Sequence, residues 1–542
     1  MRPGDLSYLL KMGRLFQQYV VDMYVKPENT RLDFLRKNQK EIRADLYQGL
    51  LDSISQGETS AENVGHRVIL PPSFVGGPRD MKRRFLNALA LVQKYGKSDL
   101  FLTMTCNPKW PEIQNELAEY ERAENRPDLI ARVFHAKLKH LSKELMEKEI
   151  FGKVAAKIQV VKFQKRGLPH AHILIILQKE WKIKNPEDFD KYVCAEIPGT
   201  DSMYLRTLVL NHMMHGLCGP KFPNCSCMEP RGKKRVCRFN FPKEFAERTT
   251  TNNDSYPIYR RRNTGEEVRI RGSVLNNRWV SSYNPYLLAM FDSHLNVEIC
   301  STIKVVKYLY KYVYKGHDRI SFNISTNDPV QQDDEIQLYQ SARWISPPEA
   351  AWRILGFDLY SMHPAVMSLP VHIQGKQTIQ FSGQESLRDM VQDDHRAKTM
   401  LLQFFKKNSQ LPVDQKFLYR EFPEHFVWNA REKEWQKRQR GIAIGRIAYA
   451  GPGEGERYYL RLLLANIKGP TSFKDLLTVN GKVCSSFQEA ACEHKLLEAD
   501  NSIEADNSIE LCTDEGVIVQ MPGSLRQLFA TLLVFCGPMN TE

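Results

Sequence analysis

The stretch Ile158-Gln159-Val160-Val161-Lys162-Phe163-Gln164, then Lys165-Arg166-Gly167-Leu168-Pro169, then His170-Ala171-His172-Ile173-Leu174-Ile175-Ile176-Leu177, decides how this chain is read. Its two arms are rich in β-branched and aliphatic residues, and the segment between them holds a lysine, an arginine and a glycine. That pattern predicts a β-hairpin. Side chains alternate across a strand, so His170 and His172 project to one face while Ala171 turns into the core. Two imidazoles so placed can reach one metal ion, though two histidines can equally share a sheet face without one. Gln164, ending the first arm across the hairpin, offers a neutral oxygen as a third ligand. Two imidazoles and an amide oxygen carry no negative charge. That set suits Mg²⁺ or Mn²⁺ with coordination positions left open for phosphate oxygens, and such an ion polarises a phosphodiester.

Working outward, Leu100-Phe101-Leu102-Thr103-Met104-Thr105 reads as a buried strand stopped at Cys106-Asn107-Pro108. Helical spacing of apolar residues is predicted over 110–120 and 129–148, and through much of the first ninety residues. Cysteines, prolines and the basic run Arg231-Gly232-Lys233-Lys234-Arg235 crowd 211–243, which reads as an insertion. The expected organisation is a helical region at 1–95 and an α+β core at 96–320 that carries the insertion at 211–243. A mostly helical domain follows at 321–470, then an acidic tail at 471–542. In that tail the hexapeptide Ala499-Asp500-Asn501-Ser502-Ile503-Glu504 is repeated at once, as in a loop duplicated by slippage.

Bulk properties narrow the function classes. The 542 residues are too many for one core and imply roughly three or four folding units. With 42% hydrophobic and 26% charged residues the composition is that of a globular protein, and disorder is not its main feature. No apolar run is long enough to span a membrane, and the start lacks a secretion signal. A net charge of +13 favours a polyanionic partner. Eleven irregularly spaced cysteines argue for reduced thiols or metal ligands rather than a disulfide scaffold.

Two further constellations carry chemistry. Val306-Lys307-Tyr308-Leu309-Tyr310-Lys311-Tyr312-Val313-Tyr314-Lys315-Gly316 fits either a strand, with four tyrosines on one face, or a helix. The helix is preferred: Tyr308, Lys311, Tyr312 and Lys315 then form one stripe and Gly316 a stop. A tyrosine can attack phosphorus to give a phosphotyrosine ester, and neighbouring lysines favour the phenolate. An amphipathic element edged with structural tyrosines fits the same pattern. The second constellation, His215-x2-Cys218-x8-Cys227-x9-Cys237 with Cys225 as a substitute, can bind structural zinc or be a group of free thiols. Basic side chains at Lys162, Lys165, Arg166, Lys311 and Lys315 share these neighbourhoods and are the candidate DNA contacts. Clusters at 82–84, 233–235 and 260–262 can track a phosphate backbone, with solvated surface as the default reading of any one of them.

Together these pieces resemble the N-terminal nuclease region of Helitron rolling-circle transposases, within the wider HUH endonucleases. The resemblance is carried by Gly13-Arg14-Leu15-Phe16-Gln17-Gln18-Tyr19-Val20-Val21-Asp22, by Leu70-Pro71 with Gly77-Pro78-Arg79, and by Asp99 through Glu112. It continues in Gly167-Leu168-Pro169-His170-Ala171-His172, in Lys307-Tyr308-Leu309-Tyr310-Lys311-Tyr312, and in Leu369-Pro370-Val371-His372. It implies an antiparallel HUH sheet with flanking helices, a metal held by His170, His172 and Gln164, and Tyr308 and Tyr312 as alternating nucleophiles. The implied reaction nicks single-stranded DNA at transposon ends and target, retains a 5′-phosphotyrosine, frees a 3′-hydroxyl, and joins by the reverse step. Nuclear residence follows from a genomic substrate. The phosphate loop of the helicase that such proteins carry is absent here, since Gly451-Pro452-Gly453-Glu454-Gly455 has no lysine in register and reads as a turn. Unwinding is therefore expected from a helicase supplied in trans, the chain being read as stopping where that domain would begin. The alternative expectation is an inactive, transposon-derived single-strand DNA binder.

Overall fold

The computed structural model describes residues 8–38, 68–164, 167–219, 222–225, 227–231, 234–251, 257–270, 272–300, 334–341, 343–377, 395 and 398–497. The chain folds as α+β. It divides into two compact units, one formed by 1–37, 92–330 and 336–362, the other by 38–91, 331–335 and 363–542.

The first unit is organised by a five-stranded sheet. Its strands are β1 (Leu100–Thr105), β2 (Val154–Phe163), β3 (Pro169–Leu177), β6 (Leu295–Ile299) and β7 (Tyr360–His363), in the order β6-β1-β3-β2-β7. The junctions β6–β1, β1–β3 and β3–β2 are antiparallel. β2 and β3 form the hairpin read from the sequence, closed by Gln164 N–H donating to Leu168 O at 3.0 Å and Gly167 N–H to Gln164 O at 2.7 Å. Gly167 sits at φ +89°, a conformation that a side chain would strain. β3 has a neighbour on each side, so its backbone groups are held in two ladders and its side chains stand on a fixed platform.

Alternation sorts the sheet into two unlike faces. Leu100, Leu102 and Met104 of β1, Ala171, Ile173, Ile175 and Leu177 of β3, and Leu295, Val297 and Ile299 of β6 belong to one buried cluster. Ile130, Phe134, Leu138, Leu141 and Leu145 of helix α2 (Pro127–Met146) complete it, with Trp352 of α4 (Pro347–Ile354) and Phe16 and Val20 of α1 (Arg14–Lys37). Each of the Leu, Ile, Val, Met and Phe side chains among them contributes about 1.5–3 kcal/mol on burial. The other face carries Phe101, Thr103, Thr105, Val160, Lys162, His170, His172, Asn296 and Glu298.

Helix α2 matches the spacing predicted over 129–148, but the helix expected over 110–120 is confined to Pro111–Gln114. Gln114 Nε2 donates to Pro108 O, and the Glu121 carboxylate takes Ala118 N–H. Side chains that satisfy backbone groups locally compete with helix propagation.

In the second unit, Ala365–Leu369 pairs in parallel with Ala443–Ile447, and Phe426–Asn429 pairs antiparallel with Glu434–Lys437. Its core collects Leu401, Phe404, Tyr419, Phe422, Trp435, Leu463 and Phe473. The described part of 321–470 thus contains strands as well as helices. The glycine-rich 451–455 segment forms a 3-10 turn, Pro452–Glu454, as the turn reading expects.

Candidate functional site

His170 and His172 lie on β3 and face the same side of the sheet, their ring centroids 4.8 Å apart and their planes at 87°. His172 is buried and fixed from two directions. Its Nδ1 is 3.1 Å from Thr103 Oγ1, and its ring stacks on Phe101 at 5.6 Å and 8°. Thr103 and Phe101 come from β1, where the register sets Thr103 directly opposite His172 and Thr105 opposite His170. With Nδ1–H donated to the threonine hydroxyl, Nε2 keeps the lone pair that a cation requires. His170 is half-buried and therefore reachable from solvent.

The hairpin brings Lys162 opposite His170, so by alternation it stands on the histidine face, and Gln164 follows just past the end of β2, exposed. Among the described residues no carboxylate, thiol or further imidazole atom closes on the pair as a third ligand. Tyr308, Lys311, Tyr312 and Lys315 lie outside the described residues, as do Lys165 and Arg166.

The second cluster is built differently. His215, Cys218, Cys227 and Cys237 each offer one ligand atom, and the four atoms lie within 4.8 Å of one another. Hairpin β4–β5 (Met228–Arg231, Lys234–Cys237) brings Cys227 beside Cys237, because Met228 pairs with Cys237. His215 Nε2 is 3.6 Å from both Cys218 Sγ and Cys237 Sγ, and its ring lies parallel to Phe241 at 4.2 Å and Trp279 at 6.3 Å. Burial pushes the Cys218 thiol up to about 12 and raises Cys227. Cys237 is also opposed by burial, yet lies below the ordinary thiol value because Phe239 and Phe241 backbone N–H groups and the Cys218 and Cys227 thiols donate to it. Burial, and then Lys243, keep His215 below its usual value and so neutral. Three cysteine sulfurs and one imidazole nitrogen, gathered within 4.8 Å of one another, are a donor set that fits a tetrahedral zinc ion. Cys225 stands outside the group, with its Sγ 3.4 Å from Leu217 O.

The other basic clusters are largely engaged in structure. Arg262 pairs with Glu196 at 2.7 Å, and Arg261 is buried and donates to Val280 O. Arg83 and Arg84 both pair with Asp80.

Residues 1–175 match the model of the Helitron helicase-like domain at N-terminus, a span that ends within β3 and includes both histidines. The chain is Helitron-related. It is accordingly a transposon-derived protein. A search of curated proteins finds no match for the chain. Among the described residues of this Helitron-related chain, no helix is long and apolar enough to cross a membrane.

Sequence reading missed the groups that orient the site. Thr103 and Phe101 become neighbours of His172 only through the β1–β3 register, which no local pattern reveals. His212 and Asp292 were also missed; they are 80 residues apart in sequence and 2.7 Å apart in space, measured from Nε2 to Oδ1.

Proposed function

We propose that this chain nicks and rejoins single-stranded DNA as a metal-dependent HUH-type endonuclease of a Helitron-type rolling-circle element. The observation that carries this reading is the imidazole pair on the polar face of an interior strand, with His172 oriented by Thr103 and Phe101. Imidazole nitrogens as ligands would leave a divalent cation with positions open to phosphate oxygens. Mg²⁺ or Mn²⁺ would be held by His170, His172 and Gln164, and would polarise the scissile phosphodiester. Tyr308 and Tyr312 supply the nucleophiles, each conserving bond energy as a 5′-phosphotyrosine, so that joining requires no nucleotide hydrolysis. Lys162, Lys165, Arg166, Lys311 and Lys315 neutralise the strand. The substrates are transposon ends and target DNA in the nucleus, and a helicase acting in trans exposes the single strand.

The Cys218, Cys227, Cys237 and His215 cluster binds structural zinc in this reading, stapling the 211–243 segment rather than taking part in chemistry. A ligand set with no open position is the signature of a structural site.

The test is incubation of the full chain with labelled single-stranded oligonucleotide and Mn²⁺. A covalent protein–DNA adduct, absent from the Tyr308→Phe, Tyr312→Phe double variant, is expected. Retained binding without an adduct favours a transposon-derived single-strand DNA binder that has no turnover.

A further inference from the structure

We propose that the segment 238–245, beside the cysteine cluster, is a binding surface for single-stranded DNA. Phe239 and Phe245 are its stacking platforms for bases, and Arg238, Lys243 and Arg278 are the charges that meet the backbone phosphates. The substrate class rests on the nuclease reading of the His170 and His172 face; the surface itself takes no part in bond cleavage.

The sequence Arg238-Phe239-Asn240-Phe241-Pro242-Lys243-Glu244-Phe245 spaces phenylalanines among basic residues. In the fold Phe239 is 46% exposed and Phe245 36%. A single exposed ring is ordinary on a protein surface. What is not ordinary is that each of the three rings carries its own cation. The Arg238 guanidinium lies 4.7 Å from the Phe239 centroid, Lys243 Nζ 5.2 Å from Phe241, and the Arg278 guanidinium 5.5 Å from Phe245. Ring quadrupoles attract such charges and hold them near the ring. The outcome is a surface on which aromatic planes and positive charge alternate. A single strand presents the complementary series, because every base has a π-face and every nucleotide a phosphate.

These charges are available to a ligand. Other arginines of the same unit are spent on carboxylates: Arg262 on Glu196, Arg206 on Glu266 and Arg126 on Asp128. Among the described residues Arg238, Lys243 and Arg278 have no ion-pair partner, and Arg278 commits only Nε, to Lys243 O at 2.7 Å. Over 234–248 the basic residues are Lys234, Arg235, Arg238, Lys243 and Arg248, against Glu244 and Glu247. A local excess of positive charge draws a polyanion.

The rings also stand on a fixed base. Arg238 N–H donates to Cys227 O and Asn240 N–H to Cys237 O, each at 2.9 Å, which ties the start of the segment to the cysteine cluster. The His215 ring meets Phe239 edge-on at 6.0 Å and lies parallel to Phe241 at 4.2 Å. At the other end Lys243 N–H donates to Arg278 O at 2.9 Å. Arg278 belongs to a 3-10 turn, Asn277–Trp279, whose N–H at Arg278 is taken by the Asn276 side chain. From there the chain leads to helix α3 (Pro285–Phe291), whose Leu287 and Phe291 sit in the core of the sheet. Platforms ordered before the strand arrives lose little freedom on binding.

The test measures binding of the full chain, by fluorescence anisotropy without added Mn²⁺, to a labelled single-stranded oligonucleotide and to the same strand carrying abasic sites in place of its bases. The parent is expected to bind the normal strand at least about tenfold more tightly than the abasic one, as stacking on two rings implies. Phe239→Leu with Phe245→Leu keeps apolar bulk and removes both π-faces. That double variant is expected to lose about 10- to 100-fold on the normal strand and to bind the abasic strand within about twofold of the parent. Phe239→Trp with Phe245→Trp should retain the preference. Phe239→Leu alone carries the comparison if the double variant melts early. Arg238→Gln is expected to weaken both strands alike and to reduce the salt slope by about 0.7, one phosphate contact on a single strand. A parent that binds both strands equally, or a double variant that keeps the parent's affinity and preference, overturns the proposal. Adduct formation on the same oligonucleotide with Mn²⁺ is read separately. A parent that shows the preference but forms no adduct supports the surface and overturns the nuclease reading, whereas an adduct with unchanged binding in the double variant does the reverse.

Discussion

The cluster at 215–237 and the imidazole pair on β3 are built on opposite plans. At 215–237, one imidazole and three thiols converge from a loop and a hairpin until their ligand atoms are within 4.8 Å of one another. On β3, two imidazoles share the face of a strand locked into ladders on both sides, and the rest of any coordination sphere must come from elsewhere. A closed, soft donor set stabilises a fold, whereas an open, neutral one leaves a cation free to polarise a substrate. On the proposed reading the first serves structure and the second chemistry, a division that can be broken experimentally.

The largest effect is expected at the open site. His170→Ala with His172→Ala should lower the rate of adduct formation on single-stranded DNA at least a thousandfold, about 4 kcal/mol, as loss of a Lewis acid does. Zinc content and melting should stay as in the parent. Adduct formation at an undiminished rate would remove the pair from the reaction altogether. Next comes the closed site. Cys237→Ser, or exhaustive chelation, should take zinc from one equivalent to none by elemental analysis. It should also cost about 3–5 kcal/mol of stability and open 211–243 to limited proteolysis. Full zinc retention in that variant would show that the four side chains do not act as a ligand set.

How far these sites could be read from the sequence depended on whether their geometry is local. His170 and His172 are two residues apart, and a strand's period is two, so their common face follows from spacing alone. The hairpin was equally legible, because two β-rich arms flank a segment with a glycine, which adopts φ +89° in the fold. The Cys218, Cys227 and Cys237 grouping could be named from composition, but choosing between Cys225 and its neighbours required the β4–β5 register. Long-range pairings were not legible: Thr103 reaches His172 across 69 residues, and His212 reaches Asp292 across 80. The helix expected over 110–120 failed for a related reason, since Gln114 and Glu121 spend their side chains on nearby backbone groups that helix propensity does not anticipate.

A subtler change sharpens the contrast by touching only the orientation of a ligand. Thr103→Val keeps the shape of the β1 side chain and removes the hydroxyl 3.1 Å from His172 Nδ1. Partners of this kind fix ring orientation, and their loss costs about 10- to 100-fold in metal affinity. Titration of Mn²⁺ by isothermal calorimetry should show that weakening while zinc stays in place. Unchanged Mn²⁺ affinity would mean that His172 is oriented by Phe101 and packing alone.

The smallest effect belongs to the opposite face of the same sheet and tests whether a polar group there does any chemistry. Lys157 pairs with Ile175 in the register, so it shares the packed face; it is 7% exposed, and its Nζ donates to Ser142 Oγ on α2. Burial lowers its pKa from 10.5 to about 8. The folded state thus binds fewer protons than the unfolded state between those two values, and stability rises with pH through that window. Below about pH 8 the charged form is held at a cost of at most about 3 kcal/mol, given 1.36 kcal/mol per pK unit. Lys157→Met removes that cost but leaves the Ser142 hydroxyl without its partner, which returns about 1–2 kcal/mol. The net expectation is a gain of about 1 kcal/mol at pH 7 that fades by pH 10, measured by urea unfolding at both values, with DNA cleavage unchanged. A variant that lost cleavage while keeping its stability would put a working group on the packed face and undo the division of the sheet into a structural side and a chemical one.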